Sequence, residues 1–434
     1  MRTEHPTTAR PSRPGLRAAW LLTAAGWGAN QFSSLLDAYR QNLGFSAATV
    51  TGLFALYIVG LLPGLLLGGP VADRVGRKPV VLGAVAAGAL GTVALMVGAA
   101  APATGTLWLG VGRFLSGLGT GAVLSSGSAW VKELSHAPYE PSAHPSAGAH
   151  RASYLLSAGF SASGLVSAVI AQWAPAPMLT AYIPHLLLCA GAMTAALAAP
   201  ETHQRLTRSE RKATTAPPSA ARHPRFLRLV VPIAPWVFAG PTIAFGVLPS
   251  LVGDHLHGYA TLYAGIATAL TPGCGLLVQP WARRLAERSS ERPAVIGMAA
   301  VTLGLLIAVP SAAFEQPVAV LVADAFLGAG YGLCVTFGLT EVSRLAGRGQ
   351  LAGLTATFWA VSYLGFCTPY LFTLLTPFAG PSTILLAVTA LAALTGVAVL
   401  FLSRTVPPAD PPHTAAIVRP ADIAAAAVPA SETV

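Results

Sequence analysis

Long apolar segments separated by short polar connections run along most of the chain. Each segment has roughly 20 residues, the length that an α-helix needs to cross a hydrocarbon core of about 30 Å. The pattern predicts twelve transmembrane helices, over residues 16–39, 48–70, 79–100, 106–130, 151–173, 178–199, 227–251, 258–280, 293–312, 317–340, 351–375 and 380–403. We therefore expect an all-α membrane protein.

The longer polar stretches divide this array of helices. The stretch 201–226 is basic and rich in Ser, Thr and Pro, which is typical of a linker. The last residues are rich in Pro and Ala and have few aromatic side chains to bury, so we expect them to be disordered. The predicted domains are an arm (1–15), a six-helix half (16–200), the linker (201–226), a second six-helix half (227–403) and a tail (404–434).

Composition and charge agree with a membrane protein. Charged residues make up 10% of the 434 residues and the mean hydropathy is +0.62, whereas soluble domains carry about 25% charged residues. All but two of the 26 Lys and Arg residues lie in the arm, the connections on its side of the membrane or the tail. The positive-inside rule then places both termini in the cytoplasm, and the composition is typical of a bacterial inner-membrane protein.

The basic residues form no single patch, so the net charge of +10 does not indicate nucleic-acid binding. The four cysteines stand singly in apolar segments, without a CxxC pair, and no metal or other cofactor is expected. No GxxxxGK[ST] loop for ATP is present, which leaves an ion gradient as the predicted energy source.

A short motif recurs in the fourth and tenth predicted helices. The stretch from Arg113 to Gly121 aligns with that from Asp324 to Gly332, and three glycines coincide. Both helices are fourth in their half, so the halves are predicted to be parallel repeats, related by an axis along the membrane normal.

The connection between the second and third helices resembles the signature loop of the major facilitator superfamily, G-x-x-x-D-R-x-G-R-K. The matching residues are Gly69, Asp73, Arg74, Gly76, Arg77 and Lys78. The resemblance implies twelve helices in two pseudo-symmetric halves, with this loop latching the cytoplasmic side through carboxylates and helix ends of the opposite half. The alternative is a simple positive-inside loop, although that needs neither the acid nor the glycines.

Arg113 resembles a second family motif, the arginine of the fourth helix that the family assigns to proton coupling. It shares a face with Gly117 and Gly121, where another helix can approach closely, so it is expected to point into protein and not lipid. The alternative is a structural arginine that holds backbone carbonyls of the first helix. Asp324 holds the equivalent position in the second half and is predicted to be a proton carrier, a substrate contact or the partner of Arg113 across the cavity.

Two further groups are predicted to line the cavity. Asn30, Ser34 and Asp37 form a polar stripe on the first helix, in which Asp37 is either a second proton site or a solvated partner of Arg40. The predicted substrate wall suits an amphipathic molecule, although core packing would also account for its aromatic members. It consists of Tyr57, Ser157, Trp236, Trp359 and Tyr363.

The chain departs from the family in two places. Gly159 and Gly164 occur in the fifth helix without the Gly-Pro ending of the family's antiporter motif, which weakens the case for antiport. The connection after the eighth helix keeps Arg283, Arg284 and Arg288 but lacks the acid. A symmetric latch is therefore not expected.

The chain is similar to the drug and metabolite proton antiporter branch of the family. The resemblance implies a monomeric, non-enzymatic transporter that exports a small organic compound in exchange for protons by alternating access. Proton-coupled uptake of a sugar or organic acid is an alternative, as is a non-transporting sensor or an enzyme on the same fold. Helices 1, 4, 7 and 10 are expected to line the cavity.

Overall fold

The computed structural model describes residues 13–144, 147–202, 219–346 and 350–406, and this part of the chain is helical without a β-strand. Within it, eleven helices are long and apolar enough to cross a membrane. The first predicted span is missing from that number because it is broken: Pro14–Asn30 is followed by a 3₁₀ turn, Ser33–Leu35, and then by Leu36–Leu43. The predicted all-α membrane fold is confirmed, and the predicted tail lies almost wholly outside the described residues.

We number the spans α1 to α12, and α1 comprises the three segments just given. The remaining spans of the first half are α2 (Ala47–Val75), α3 (Arg77–Ala100), α4 (Gly105–Leu134), α5 (Ala147–Trp173) and α6 (Pro177–Leu197). Those of the second half are α7 (Phe226–Leu251), α8 (Ala260–Arg288), α9 (Arg292–Ala313), α10 (Pro317–Leu345), α11 (Gly353–Leu375) and α12 (Pro381–Thr405).

Equivalent helices pack in the same way in the two halves. In the first half α2 and α3 pack against α4, and in the second half α8 and α9 pack against α10. Contacts between the halves are made chiefly by α5 with α8 and by α2 with α11. The span α7 is the most buried of these helices: 78% of its most apolar stretch lies inside the protein, against 28% for α12. This places α7 at the centre of the protein, while α5 is as little buried as α12 although it contacts the second half.

The glycines of the sequence repeat make equivalent helix contacts. Gly117 of α4 lies against the carbonyl of Tyr57 in α2, and Gly328 of α10 lies against the carbonyl of Thr271 in α8. Neither position has room for a Cβ atom. Glycine therefore lets the fourth helix of each half approach the second, which places Arg113 and Asp324 at equivalent points of the two contacts.

We call the membrane face at which α1 begins and α12 ends the basic side, and the opposite face the far side. The turns between α2 and α3 and between α8 and α9 lie at the basic side, together with most of the arginines. Arg113 and Asp324 both lie about two helical turns from the far-side start of their helices.

Candidate functional site

Arg113 is held by the backbone of a neighbouring helix. Its side chain has no exposed surface. Nε donates to the carbonyl of Leu53 at 3.3 Å, and Nη2 donates to the carbonyl of Phe54 at 3.1 Å. Both carbonyls belong to α2, so the alternative in which Arg113 holds carbonyls of the first helix is wrong. Glycines of α4 contact the same helix, α2, to which the guanidinium donates.

Three aromatic rings surround the same guanidinium. Its central carbon lies 4.6 Å from the ring centroid of Phe32, 5.6 Å from that of Phe54 and 4.7 Å from that of Tyr57. These distances fall within the range of cation–π attraction, which is strongest when the cation is desolvated. In the described part of the chain Nη1 has no hydrogen-bond partner.

Asp324 has no comparable partners. It is fully buried, and neither carboxylate oxygen accepts a hydrogen bond from any described residue. The predicted pair with Arg113 is therefore not formed, because Arg113 turns to α2 whereas Asp324 lies on the face of α10 that packs against α8. Burying an unpaired carboxylate costs several kcal/mol. The site therefore suits a neutral carboxylic acid.

Two residues of the polar stripe of α1, Asn30 and Ser34, are buried inside the protein, and their role as cavity-lining residues stays a prediction. Asn30 Nδ2 donates to the carbonyl of Phe160 in α5 at 3.0 Å, and Ser33 Oγ donates to Asn30 Oδ1 at 2.8 Å. Ser34 is fully buried, and its Oγ has no partner among the described residues. Asn30 thus joins two helices of the first half.

Asp37 and Arg40 lie at the far side. Arg40 Nη1 is 3.3 Å from Asp37 Oδ1, and their side chains are 44% and 14% exposed respectively. Both residues line a cavity of about 230 Å³ between the halves, together with Thr51, Phe245 and Thr373. The structure therefore shows the solvated pair, and a proton-binding role of Asp37 stays a prediction.

Aromatic side chains from the two halves meet beside Arg113. Phe54 of α2 stacks on Phe366 of α11 with ring centroids 5.4 Å apart, and Tyr57 lies 5.9 Å from the same ring. Phe245 of α7 makes an edge contact with Phe54 at 6.4 Å. These rings join α2 to the second half.

The second half continues the aromatic cluster from Phe366. Tyr363 stacks on Phe238 of α7 at 4.4 Å, and the rings of Trp359 and Tyr331 lie 6.0 and 6.1 Å from Phe238. Trp359 and Tyr331 keep part of their surface exposed. Of the predicted substrate wall, the structure thus brings Tyr57, Trp359 and Tyr363 into one cluster.

Two other members of the predicted wall lie elsewhere. Trp236 Nε1 donates to Thr395 Oγ1 of α12 at 3.3 Å. Its indole therefore faces a peripheral helix, and its prediction as a cavity residue is wrong. Ser157 of α5 is partly exposed, on the face that carries Gly164 further along the helix.

The halves touch at the far side, whereas residues of α5 nearer the basic side keep more of their surface exposed. Thr51 donates to Thr373 at 3.3 Å, and Gly164 packs so closely against Thr268 that no Cβ would fit. Nearer the basic side, the face of α5 that carries Gly164 also carries Ser157, which is partly exposed, and Tyr154, which is 63% exposed. The space between the halves is accordingly closed at the far side.

The signature loop is bound within its own half. Arg77 Nη1 pairs with Asp73 at 2.7 Å, and Arg77 Nε bonds Glu133 at the end of α4 at 3.3 Å. The predicted contact of Asp73 with a helix of the opposite half is therefore not made in this conformation. Arg74 is exposed, and space surrounds the Cα of Gly69.

Glu201 caps the third helix from the end of the sixth. Its carboxylate accepts from the backbone N–H groups of Arg77 and Lys78, each at 3.0 Å. Gly76 enters this turn with φ 112° and ψ 156°, a conformation that suits glycine. Lys78 Nζ donates to the carbonyls of Leu197 and Ala199.

An ion cluster at the basic end of the second half escaped sequence analysis. Arg225 is 3% exposed and bonds Glu341 of α10 and Glu291 before α9, with Ser290 at 2.8 Å. Glu341 lies in the last turns of the apolar helix α10, and such an acid indicates that a basic partner lies nearby. Its partner could not be found, because Arg225 lies 116 residues away in the chain.

Comparisons with known proteins agree with this architecture. The family model described as Major Facilitator Superfamily matches residues 18–367. The chloramphenicol resistance protein of Pseudomonas aeruginosa is 37% identical over 92 residues, which are 21% of this chain and 21% of that protein. The multidrug resistance protein MdtL of Klebsiella pneumoniae is 39% identical over 88 residues, 20% and 21% of the two chains.

A third relative, the 3-(3-hydroxy-phenyl)propionate transporter of Escherichia coli, is 34% identical over 103 residues, 24% of this chain and 23% of that protein. The chain thus aligns with about a fifth to a quarter of each of these relatives.

Solved transporters share the fold. A POT family transporter in complex with 5-aminolevulinic acid superposes with a TM-score of 0.69 at 14% identity, covering 91% of this chain and 97% of that one. The xylose transporter XylE from E. coli gives 0.62 at 15% identity with the same coverage. The family match covers most of the chain and the fold agrees with it, so this protein belongs to the major facilitator superfamily.

Proposed function

We propose that the protein exports a small organic compound across a bacterial inner membrane in exchange for protons, by alternating access and as a monomer. The family and its transporter relatives indicate transport and not catalysis. The observation that carries the proton coupling is Asp324, a fully buried carboxyl without a hydrogen-bond partner in the described part of the chain.

Asp324 supports this function through its surroundings. A carboxyl that has no donor nearby is stable as the neutral acid, and it can ionise once water or a charged partner reaches it. Rocking of the halves changes the contacts that α8, the helix covering Asp324, makes with α5 of the first half. Opening and closing would thus bind the proton on one side of the membrane and release it on the other.

The conformation supports entry from the cytoplasm. By the positive-inside rule the basic side, at which α1 begins and α12 ends, faces the cytoplasm. The far-side closure by Thr51, Thr373, Phe54 and Phe366 then corresponds to an inward-facing state. An exporter in this state offers its cavity to a cytoplasmic substrate.

The chemistry of the cluster supports an amphipathic substrate. Trp359 and Tyr331 expose part of their ring surface. Among the described residues, neither the indole N–H of Trp359 nor the phenol O–H of Tyr331 has a hydrogen-bond partner. Such groups bind aromatic or apolar bodies that carry a few acceptors. The short similarities to the chloramphenicol and multidrug resistance proteins favour export.

Proton-coupled uptake of an organic acid is the second candidate. It is favoured by the similarity to the hydroxyphenylpropionate transporter. Arg113 supports it too, because Nη1 is free of a hydrogen bond among the described residues and a guanidinium binds carboxylates well.

Proton movement in inside-out vesicles tests the proposal. The vesicles are acidified inside by respiration, and aromatic drugs and aromatic acids are added in turn while a pH-sensitive dye reports the lumen. We expect a substrate to release luminal protons from vesicles with the parent protein and to leave vesicles with Asp324→Asn unchanged.

The same preparation separates the two directions. Under the proposal, labelled substrate accumulates inside the acidified inside-out vesicles and is lost when the gradient is collapsed. Accumulation in intact cells at acidic external pH, with none in the inside-out vesicles, would replace export by uptake. Release of a chemically altered product without net movement would favour an enzyme on this fold.

A further inference from the structure

We infer that Arg113 is a positioning residue for an aromatic gate at the far side. In this view its guanidinium holds Phe54 and Tyr57 of the first half in place against Phe366 of the second half. Arg113 then stabilises the conformation that is closed at the far side. The inference rests on the proposed alternating access and adds a residue that governs it.

The guanidinium is fixed relative to α2. It donates to two successive carbonyls of that helix, those of Leu53 and Phe54, at 3.3 and 3.1 Å. A guanidinium is planar and rigid, so two hydrogen bonds define its plane as well as its position. One of the two carbonyls belongs to the residue whose ring forms the gate.

The same group then fixes the gate rings. Its carbon lies 5.6 Å from the ring centroid of Phe54 and 4.7 Å from that of Tyr57. All three side chains are fully buried, so water does not compete for the cation. Cation–π attraction is strongest under these conditions and favours the rotamers that keep the ring faces on the guanidinium.

These held rings make one of the contacts between the halves. Phe54 stacks on Phe366 at 5.4 Å with 16° between the ring planes, and Tyr57 contacts the same ring at 5.9 Å. Phe366 in turn contacts Phe238 and Tyr363 at 4.8 and 5.5 Å. The rings thus connect the guanidinium of one half to the aromatic cluster of the other.

Opening at the far side must separate Phe54 and Tyr57 from Phe366, while Arg113 stays with α2. A lysine at 113 keeps the charge but cannot make two coplanar hydrogen bonds and stack on rings at once. The rings then gain rotamer freedom, and the free energy of the closed state rises relative to that of the open state.

State-selective cross-linking tests the inference without a substrate. Thr51→Cys and Thr373→Cys are introduced together after the four native cysteines are replaced by alanine, because the two hydroxyls lie 3.3 Å apart in the closed state. The rate of disulfide formation with a mild oxidant reports the closed fraction. We expect Arg113→Lys to lower this rate about tenfold, which corresponds to about 1.4 kcal/mol.

Two matched variants separate gating from general destabilisation. Phe32→Leu removes a ring that lies 4.6 Å from the same guanidinium but contacts only Tyr39, in its own helix, among the described ring pairs. Arg225→Lys alters another buried arginine, which belongs to the ion cluster at the basic side. Both variants should cross-link at the parent rate, whereas Phe54→Leu should slow cross-linking as Arg113→Lys does.

The double variant Arg113→Lys with Phe54→Leu should cross-link no more slowly than the slower single variant, because both substitutions disrupt the same interaction between the guanidinium and the gate rings. Parent-like cross-linking in Arg113→Lys overturns the inference, as does equal slowing by Phe32→Leu. If Arg113→Lys does not fold, Tyr57→Phe at the parent rate with slowing by Tyr57→Leu supports the ring contact, and the reverse overturns it. Since no substrate is used, these results are independent of whether proton-coupled export is found.

Discussion

At the scale of residues, Arg113 and Asp324 occupy equivalent points of the two halves, yet within the described part of the chain Arg113 has hydrogen-bond partners and Asp324 has none. Each faces the helix against which its neighbouring glycines pack. The carbonyls there accept from a guanidinium, but a carboxylate has nothing to accept from them. The same architecture therefore stabilises a cation in one half and leaves a buried carboxyl without a hydrogen-bond partner among the described residues in the other.

Gly76 is a second position where a single added atom, a Cβ, affects the stability of the fold. Its φ of 112° is nearly restricted to glycine, and a Cβ would lie 2.6 Å from Glu201 Oε2. We expect Gly76→Ala to lower the free energy of unfolding by about 1–3 kcal/mol. The melting temperature of the purified protein measures this. Gly83→Ala, in open space on α3, is the control and should be neutral or slightly stabilising.

Glu291 gives the ion cluster of the second half a pH dependence. Burial raises the pKa of Glu291, but the hydrogen bonds and charge of Arg225 outweigh it, and the pKa is lowered from 4.5. Its stabilising effect is complete above that ordinary value and is lost as the pH falls through the lowered pKa. Melting temperatures between pH 7 and pH 3 should therefore fall less in Glu291→Gln than in the parent. Glu287→Gln, at an exposed position, should retain the parent profile.

At the scale of elements, the start of α3 depends on a residue that follows another helix, α6. The carboxylate of Glu201 supplies the cap that the sequence before Arg77 lacks, and it lies at the positive end of the helix dipole. We expect Glu201→Gln to weaken this cap by about 1 kcal/mol. Hydrogen exchange should quicken in the first turn of α3 and stay unchanged in its middle. Equal exchange in Glu201→Gln and in the parent would show that other contacts hold the turn.

The helices were predictable from the sequence to different degrees. Eleven spans follow from long apolar runs, which need no knowledge of neighbours. The break in α1 was missed, because hydropathy does not register the polar groups of Asn30 and Ser33 that bond each other there. Trp236 was placed wrongly because α7 is buried on nearly all sides, so its sequence does not indicate which face meets the cavity.

At the scale of the whole molecule, the two halves meet at the far side. Ser157 of α5 should then be reachable from the basic side, whereas Ser163 of the same helix is fully buried. We expect a membrane-impermeant thiol reagent to modify Ser157→Cys in inside-out vesicles at least tenfold faster than Ser163→Cys. Equal, slow modification would mean that the basic side is closed too.

The sequence indicated the pseudo-symmetry but not the conformation. The glycine repeat in α4 and α10 predicted equivalent helix contacts, since these glycines have few other roles. The contacts of Phe54 with Phe366 depend on which state the halves adopt, and they join residues far apart in the chain. The same limit applies to the missing pair of Arg113 and Asp324, whose distance is set by how each side chain turns within its own half.

Proton release on substrate binding tests the account most directly. A compound that moves protons in the vesicles is added to purified protein in weakly buffered detergent solution, and the pH change is recorded. We predict that binding releases about one proton per molecule from the parent near neutral pH and none from Asp324→Asn, with binding itself retained. Equal release from both proteins, or binding to the parent without release, would contradict Asp324 as the proton carrier.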